Sequence, residues 1–463
     1  MQAAVAAGHP ATTAAGIEIL ADGGSAADAA VAACLASCVA ETVMTGLLGG
    51  GHAIYFDAAS GRARNLDCFV AVPGLGAEAR EPELLHLEVP FGAELVHYAV
   101  GPASCGVPGL PAGLVALWEA HGCLPWRRLV EPALQLAREG VEFPPAHAAC
   151  LAMLAPVMTM NEGADIYAPG GTLLGAGERL VQPGLVGALE ALADDPRSVY
   201  GGSLAAELLA LCEERGGLVT PEDLDAYEAL WSQPVDVPYL DGRLLTRAGL
   251  SGVPETVPRL PLLAGLTETE RVLALVHVLE APGTGSGDTT NVSVLDADGS
   301  ACVLTTSLGL GSGDFLPGLD LHLNSMLGEA DLVRGRLEPG RRMESMMAPT
   351  LTFDGDGLSL AAGAAGGTRL RTALLGVIAG ILDEGLPPAD AVGRPRFHPA
   401  GELVNAEPGV DEVALEQLEA RGRTVRRWPA RHHYFGGVSA VSRTGTAADP
   451  RRNGEATTLR HVG

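Results

Sequence analysis

Apolar residues recur with a helical period through much of the first half of the chain and alternate with polar ones in short runs beyond position 290. The spacing predicts helices over Ala11–Ala21 and Ser25–Val39, joined at Asp22-Gly23-Gly24, where glycine permits the left-handed turn that ends a helix. Residues 110–140 and 184–228 follow the 3.6-residue period, with Pro125 and Pro221 just inside helix starts. His52–Asp57 alternates as a strand. Further strands are expected at 291–297, 301–307, 350–354, 358–362 and 436–443, with helices at 368–384 and 411–422. Strands followed by flanking helices make a layered α/β design.

Ala29–Ala40 is the most apolar run, but it is too short to cross a bilayer and follows a helix cap at Ser25, so it reads as a buried core helix. With 47% hydrophobic residues in 463, the core is ample, and the length allows three domains or one large unit; one fused unit, later nicked, is expected here. All 30 basic residues are arginine, against 56 acidic ones, for a net charge of −26. Such a surface repels phosphate backbones, which excludes nucleic acid as a partner and leaves small molecules. Eight cysteines (34, 38, 68, 105, 123, 150, 212 and 302) show neither Cys-x-x-Cys nor zinc spacing and read mostly as small core residues. Cys34 and Cys38 stack on one helix face, a poor geometry for a disulfide.

The candidate chemistry lies where a glycine-rich turn ends in Asp288-Thr289-Thr290-Asn291 and enters the alternating run Val292-Ser293-Val294-Leu295-Asp296. Cutting the Asp288–Thr289 bond would give Thr289 a free α-amino group beside its hydroxyl, so that nucleophile and general base arrive on one residue. A Thr-Thr pair opening a strand is by itself ordinary sheet sequence.

Blocks on both sides of it change that weight. They are Gly23-Gly24-Ser25-Ala26-Ala27-Asp28, Gly46-Leu47-Leu48-Gly49-Gly50-Gly51, Val107-Pro108-Gly109 with Leu124-Pro125-Trp126, and Gly217-Leu218-Val219-Thr220-Pro221-Glu222-Asp223-Leu224. Beyond Thr289 follow Gly366-Gly367-Thr368-Arg369, Pro395-Arg396-Phe397-His398 and Asp449-Pro450-Arg451-Arg452. In this order they resemble the γ-glutamyltransferase family, the γ-glutamyl transpeptidases and related amidohydrolases, from His9-Pro10 to the C-terminus. The one large gap is at about 245–285, where the family has a longer helical stretch and an active-site loop.

The resemblance implies a four-layer αββα sandwich of the N-terminal-nucleophile hydrolase type, with Thr289 opening a central strand. It implies self-cleavage between Asp288 and Thr289 into segments 1–288 and 289–463, a heterodimer forming one fused unit. Thr289 would be the nucleophile, the N–H groups of Gly366 and Gly367 the oxyanion donors, and Ser307, eighteen residues on, the second hydroxyl, where the family usually has threonine. The family's substrate residues are altered. Phe69 stands where an arginine pairs with the glutamyl α-carboxylate, and Gly309 where an asparagine helps hold it. Leu327-Gly328 replace the acidic end that binds the α-amino group, while of two paired serines Ser345 remains and Met346 fills the second place.

Four departures on one ligand and an intact reaction centre lead to the expectation of an amidohydrolase or acyltransferase acting through an acyl-enzyme on a non-glutamyl amide. Phe69, Leu327 and Met346 would turn the pocket apolar, and a glutamyl zwitterion there would leave charges unpaired. Two alternatives stay open: a γ-glutamyl transpeptidase or glutathione hydrolase whose charged site is rebuilt from Arg341 and Arg342 or from Glu329 and Asp331, and an inactive scaffold on the same fold. No cofactor is expected, since Walker, Rossmann and clustered His/Cys patterns are missing, and His432-His433 reads as a surface turn. The chain starts at the first family block without a basic leader, so a cytoplasmic location is expected.

Overall fold

The computed structural model describes residues 2–78, 81–91, 94–280 and 289–459, with backbone only at Pro90, Phe91, Glu94 and Leu95. Two β-sheets lie face to face at its centre. The first has seven strands in the order Glu455–Thr458, Ala4–Ala7, Thr290–Leu295, Ala301–Ser307, Gly50–Asp57, Arg62–Cys68 and Leu230–Ser232. The second has six: Gly445–Ala448, Gly437–Ser442, Gly357–Ala365, Thr350–Asp354, Gly242–Thr246 and Val235–Tyr239. Both sheets combine strands from before and after residue 289, interleaved in the first and joined at one strand pair in the second, so a cut there would leave two chains joined through both sheets.

The strand alternation sets which layer each side chain meets. Val292, Val294, Cys302 and Leu304 pack with the helix Ala26–Ala40 on the outer face of the first sheet. Leu295, Ala301 and Val303 point the other way, to Leu351, Phe353 and Ala361 of the second sheet. The outer face of the second sheet is covered by Glu268–Leu279, Arg369–Leu382 and Glu412–Ala420. This is the αββα sandwich, with the Thr290–Leu295 strand central in its sheet.

Ala26–Ala40 is buried along all its 15 residues. Small side chains allow that close packing, and a capping box between Ser25 and Asp28 fixes its start. No described helix is long and apolar enough to cross a membrane. Seven of the eight cysteines are buried, Cys123 being exposed.

Several sequence expectations need correction. Residues 110–140 form two helices, Leu110–His121 and Trp126–Glu139, because Gly122 to Pro125 breaks the period, and Pro125 is the cap residue rather than inside the helix. The 184–228 stretch is four helices, the last starting at Pro221 behind a Thr220–Asp223 capping box. His432 and His433 form a turn, but His433 is buried, with the two rings 4.1 Å apart. The shortened 245–285 region keeps the helix Glu268–Leu279. Asp288 and the glycine-rich turn before it lie outside the described residues.

Candidate active site

Antiparallel pairing runs from Leu295 opposite Ala301 to Thr290 opposite Thr306. One step further, the register sets Thr289 opposite Ser307, which is itself paired with Gly50 on its other side. The two hydroxyl residues, 6% and 4% exposed, line one narrow cleft. Its walls also include Phe69, Met326, Glu329, Asp331, Leu332, Ser345, Met346, Met347, Gly367 and Leu370.

Neighbouring threonines face different ways. Thr290 Oγ1 donates to the buried carboxyl of Glu41, which also accepts from Thr12 Oγ1 at 2.7 Å. Burial pushes the Glu41 carboxyl above its ordinary range, partly offset by these bonds and by Arg452. Gly8 makes room for it, since a Cβ there would overlap the Glu41 carboxyl. Behind the strand a second pocket touches Thr289, Thr290, Glu41, His147 and Arg452. Sequence reading missed Glu41; its only local signal is an acid ending an otherwise apolar helix.

Gly366 and Gly367 form the turn between the strand Gly357–Ala365 and the helix Arg369–Leu382, with φ of +124° and +54°. A left-handed turn of this kind favours glycine. Gly367 lines the cleft; at Gly366 beside it a Cβ would approach the Gly436 Cα to 2.9 Å.

Of the residues expected to contact substrate, Phe69, Ser345 and Met346 line the cleft. Phe69 is buried, stacked on His52 at 5.5 Å, and its carbonyl accepts from Tyr227 Oη at 2.6 Å. Ser345 Oγ accepts from Met347 N at 3.2 Å. Gly309 meets the site through its N–H, which donates to Ser307 Oγ at 2.9 Å. Leu327 lines instead a separate cavity with Val72, Leu218 and Leu337. Gly328 is packed so closely on Ala99 that any Cβ would overlap the Ala99 carbonyl. The pocket is therefore not purely apolar as expected: Glu329 and Asp331 bring carboxyl groups into it.

Arg341 and Arg342 are not in the cleft. Arg341 is exposed near Glu338. Arg342 donates to the carbonyls of Phe69 and Glu228 and lies 4.1 Å from the Tyr227 ring centre, on the far side of Phe69.

A buried threonine at the start of a central strand of an αββα sandwich, opposite a second hydroxyl and beside a glycine turn, is the arrangement of an N-terminal-nucleophile hydrolase. The chain matches the family described as Gamma-glutamyltranspeptidase over residues 12–281 and 264–459, and it belongs to that family of enzymes. It is 28% identical to the Acylase ACY 1 proenzyme of Pseudomonas sp. (strain V22), over 94% of this chain and 88% of the relative. It is 26% identical to the Glutathione hydrolase proenzyme of Escherichia coli (strain K12), over 92% and 86%. In three dimensions it resembles the cephalosporin acylase from Bacillus halodurans, with a TM-score of 0.85 at 22% identity over 99% of this chain and 96% of that one.

Proposed function

We propose that this enzyme is an amidohydrolase or acyltransferase that works through an acyl ester on Thr289 and acts on a non-glutamyl amide. The observation that carries the reading is the make-up of the cleft. Thr289, Ser307 and Gly367 meet there, while no arginine, lysine or histidine lines it among the described residues. A glutamyl α-carboxylate would be desolvated without a cation, at a cost of several kcal/mol.

The precursor step is cleavage of the Asp288–Thr289 bond, for which the proenzyme names of the two relatives are support. Thr289 Oγ adds to the Asp288 carbonyl, the C–N bond breaks to leave an ester, and water hydrolyses it to the Asp288 carboxylate and a free α-amine. The resulting segments, 1–288 and 289–463, stay together as a heterodimer through the shared sheets.

In turnover, Thr289 Oγ adds to the substrate amide carbonyl as its proton passes to the α-amino group. Backbone N–H groups at Gly366 and Gly367 receive the oxyanion; one such donor typically contributes about 3 kcal/mol in the transition state. The departing amine takes the proton from the α-ammonium. Water or a second amine then attacks the ester and restores Thr289. Ser307 positions the nucleophile from the facing strand. The buried cysteines suit a reducing compartment, in keeping with a cytoplasmic location.

The test compares kcat/KM for a simple acyl anilide and a γ-glutamyl anilide. The simple anilide should be hydrolysed at least as well. A γ-glutamyl advantage of about a hundredfold, or ~2.7 kcal/mol, would mean that a carboxylate clamp exists after all.

A further inference from the structure

The segment 326–339 walls two spaces at once. Met326, Glu329, Asp331 and Leu332 line the cleft beside Thr289, whereas Leu327, Arg336, Leu337 and Pro339 line a second cavity. Met326 and Leu327 are chain neighbours, about 3.8 Å apart at Cα, so the wall between the two spaces is there a single chain thick. After the turn Met326–Gly328 the segment has no helix or strand. It is fastened again at Gly340 and Met343, whose N–H groups donate to the carbonyls of Val72 and Val70 at 2.8 and 3.0 Å. Val70, Val72, Met326, Leu332, Met343 and Met347 form one buried apolar cluster with Phe69, and Leu327 and Met346 pack against it.

The two spaces differ in size and chemistry. About 30 Å³ is open in the cleft, roughly what one water takes up in the liquid. The cavity offers about 790 Å³, within the usual ~300–1,000 Å³ of small-molecule sites. Val72, Leu209, Leu218, Leu327 and Leu337 give it apolar walls. Its Thr220 hydroxyl is already spent on the Leu75 carbonyl at 2.8 Å, and its charged residues Glu78, Glu213 and Arg336 are all exposed. Such walls ask for no polar group from a ligand and penalise a charged one.

We infer, resting on the reading of Thr289 as the nucleophile, that the acyl group of the substrate is a long, neutral aliphatic chain whose far end enters this cavity. The carbonyl stays at Thr289, where the cleft has room for little more, and the chain runs past Met326 and under the segment 326–339. Methionine side chains in the partition turn aside for it, being unbranched, with three rotatable bonds and a polarisable thioether. Each methylene that leaves water for these walls is worth up to about fourfold in kcat/KM.

Chain-length kinetics on the mature wild-type enzyme test this. The kcat/KM for decanoyl para-nitroanilide should exceed that for the butanoyl compound by at least about a hundredfold. Leu218→Trp fills the cavity, and Leu337→Asp puts a charge on its wall at an exposed position; each should cut that ratio at least about tenfold. Calorimetry with methyl butyl ketone and methyl decyl ketone reads the same preference without turnover. The longer ketone should bind at least about tenfold tighter, and by a smaller margin in each variant. A flat or falling series from butanoyl to decanoyl would overturn the inference, as would a length preference that both folded variants leave intact. Length-dependent ketone binding by an enzyme that hydrolyses neither anilide would instead count against the Thr289 chemistry and leave the cavity's role standing.

Discussion

Thr290 Oγ1 is turned into the helix layer by its hydrogen bond to the buried carboxyl of Glu41, and Thr289 is left as the hydroxyl on the cleft side of the strand start. The pair thereby separates into a threonine bonded into the helix layer and one facing the cleft, although their side chains are chemically identical.

Thr290→Val should therefore cost stability more than chemistry. Glu41 would keep only the Thr12 hydroxyl, and leaving a buried acceptor short of a partner costs roughly 1–3 kcal/mol. The expected result is a lowered melting temperature with an acylating inhibitor still attached to residue 289. Loss of all labelling in a folded Thr290→Val enzyme would reverse the assignment.

Ser307→Ala removes the hydroxyl facing Thr289 and the acceptor of the Gly309 N–H. Turnover should slow by about 10–1000-fold, the range expected for losing one hydrogen bond to a reacting group. Single-turnover kinetics on folded protein would show it. A change of less than about twofold, within experimental scatter on this scale, would make Ser307 a bystander.

Rebuilding the glutamyl site from sequence alone should fail. Gly328→Asp, or even Gly328→Ala, drives a Cβ into the Ala99 carbonyl, and overpacking of this kind costs about 1–3 kcal/mol or more. Phe69→Arg would bury a third guanidinium close to those of Arg247 and Arg342, whose charges already help lower the pKa of His52 beside Phe69. Melting curves should show both variants destabilised, and the double variant no better. Stable folding of the double variant with gained γ-glutamyl hydrolysis would contradict the packing described.

Acid should weaken the fold through its buried histidines. Burial lowers the pKa of His322 and His398 from 6.5 to about 3 and pushes those of His52, His147 and His433 well below 6.5. A group with a depressed folded pKa contributes stability that is fully present above its unfolded pKa and is lost as pH falls towards the folded one. His322 and His398 should thus each withdraw about 2–3 kcal/mol by pH ~4.5. Melting temperature should drop steadily below pH ~6.5, with proton uptake on unfolding; a flat profile from pH ~7 to ~5 would contradict it.

Much of this was legible in the sequence because it depends on local pattern. Alternation marked the Thr290–Leu295 and Ala301–Ser307 strands, and the ungapped count from Thr289 to Ser307 gives facing residues because the hairpin between them is regular. What resisted reading was set by packing across distant segments. Nothing local to Gly328 announces the Ala99 carbonyl, nor does Leu327 reveal that it lines a different cavity from Met326. Glu41 lies 249 residues from Thr290, so their bond has no sequence signature. The short strands Val235–Tyr239 and Gly242–Thr246 pair with each other, and only the second pairs onward, to Thr350–Asp354 about a hundred residues later, which fixes the hairpin in the second sheet.

The central claim is that Thr289 becomes the N-terminal nucleophile, and one mass-spectrometric measurement bears on it most directly. Freshly purified wild type is treated with an acylating inhibitor, and its intact mass and peptide map are read beside those of Thr289→Ala. The account predicts segments 1–288 and 289–463 in the wild type, the label on Thr289, and a single unlabelled chain for the variant. An uncut wild type after prolonged incubation, or a label on Thr290 or Ser307, would contradict it.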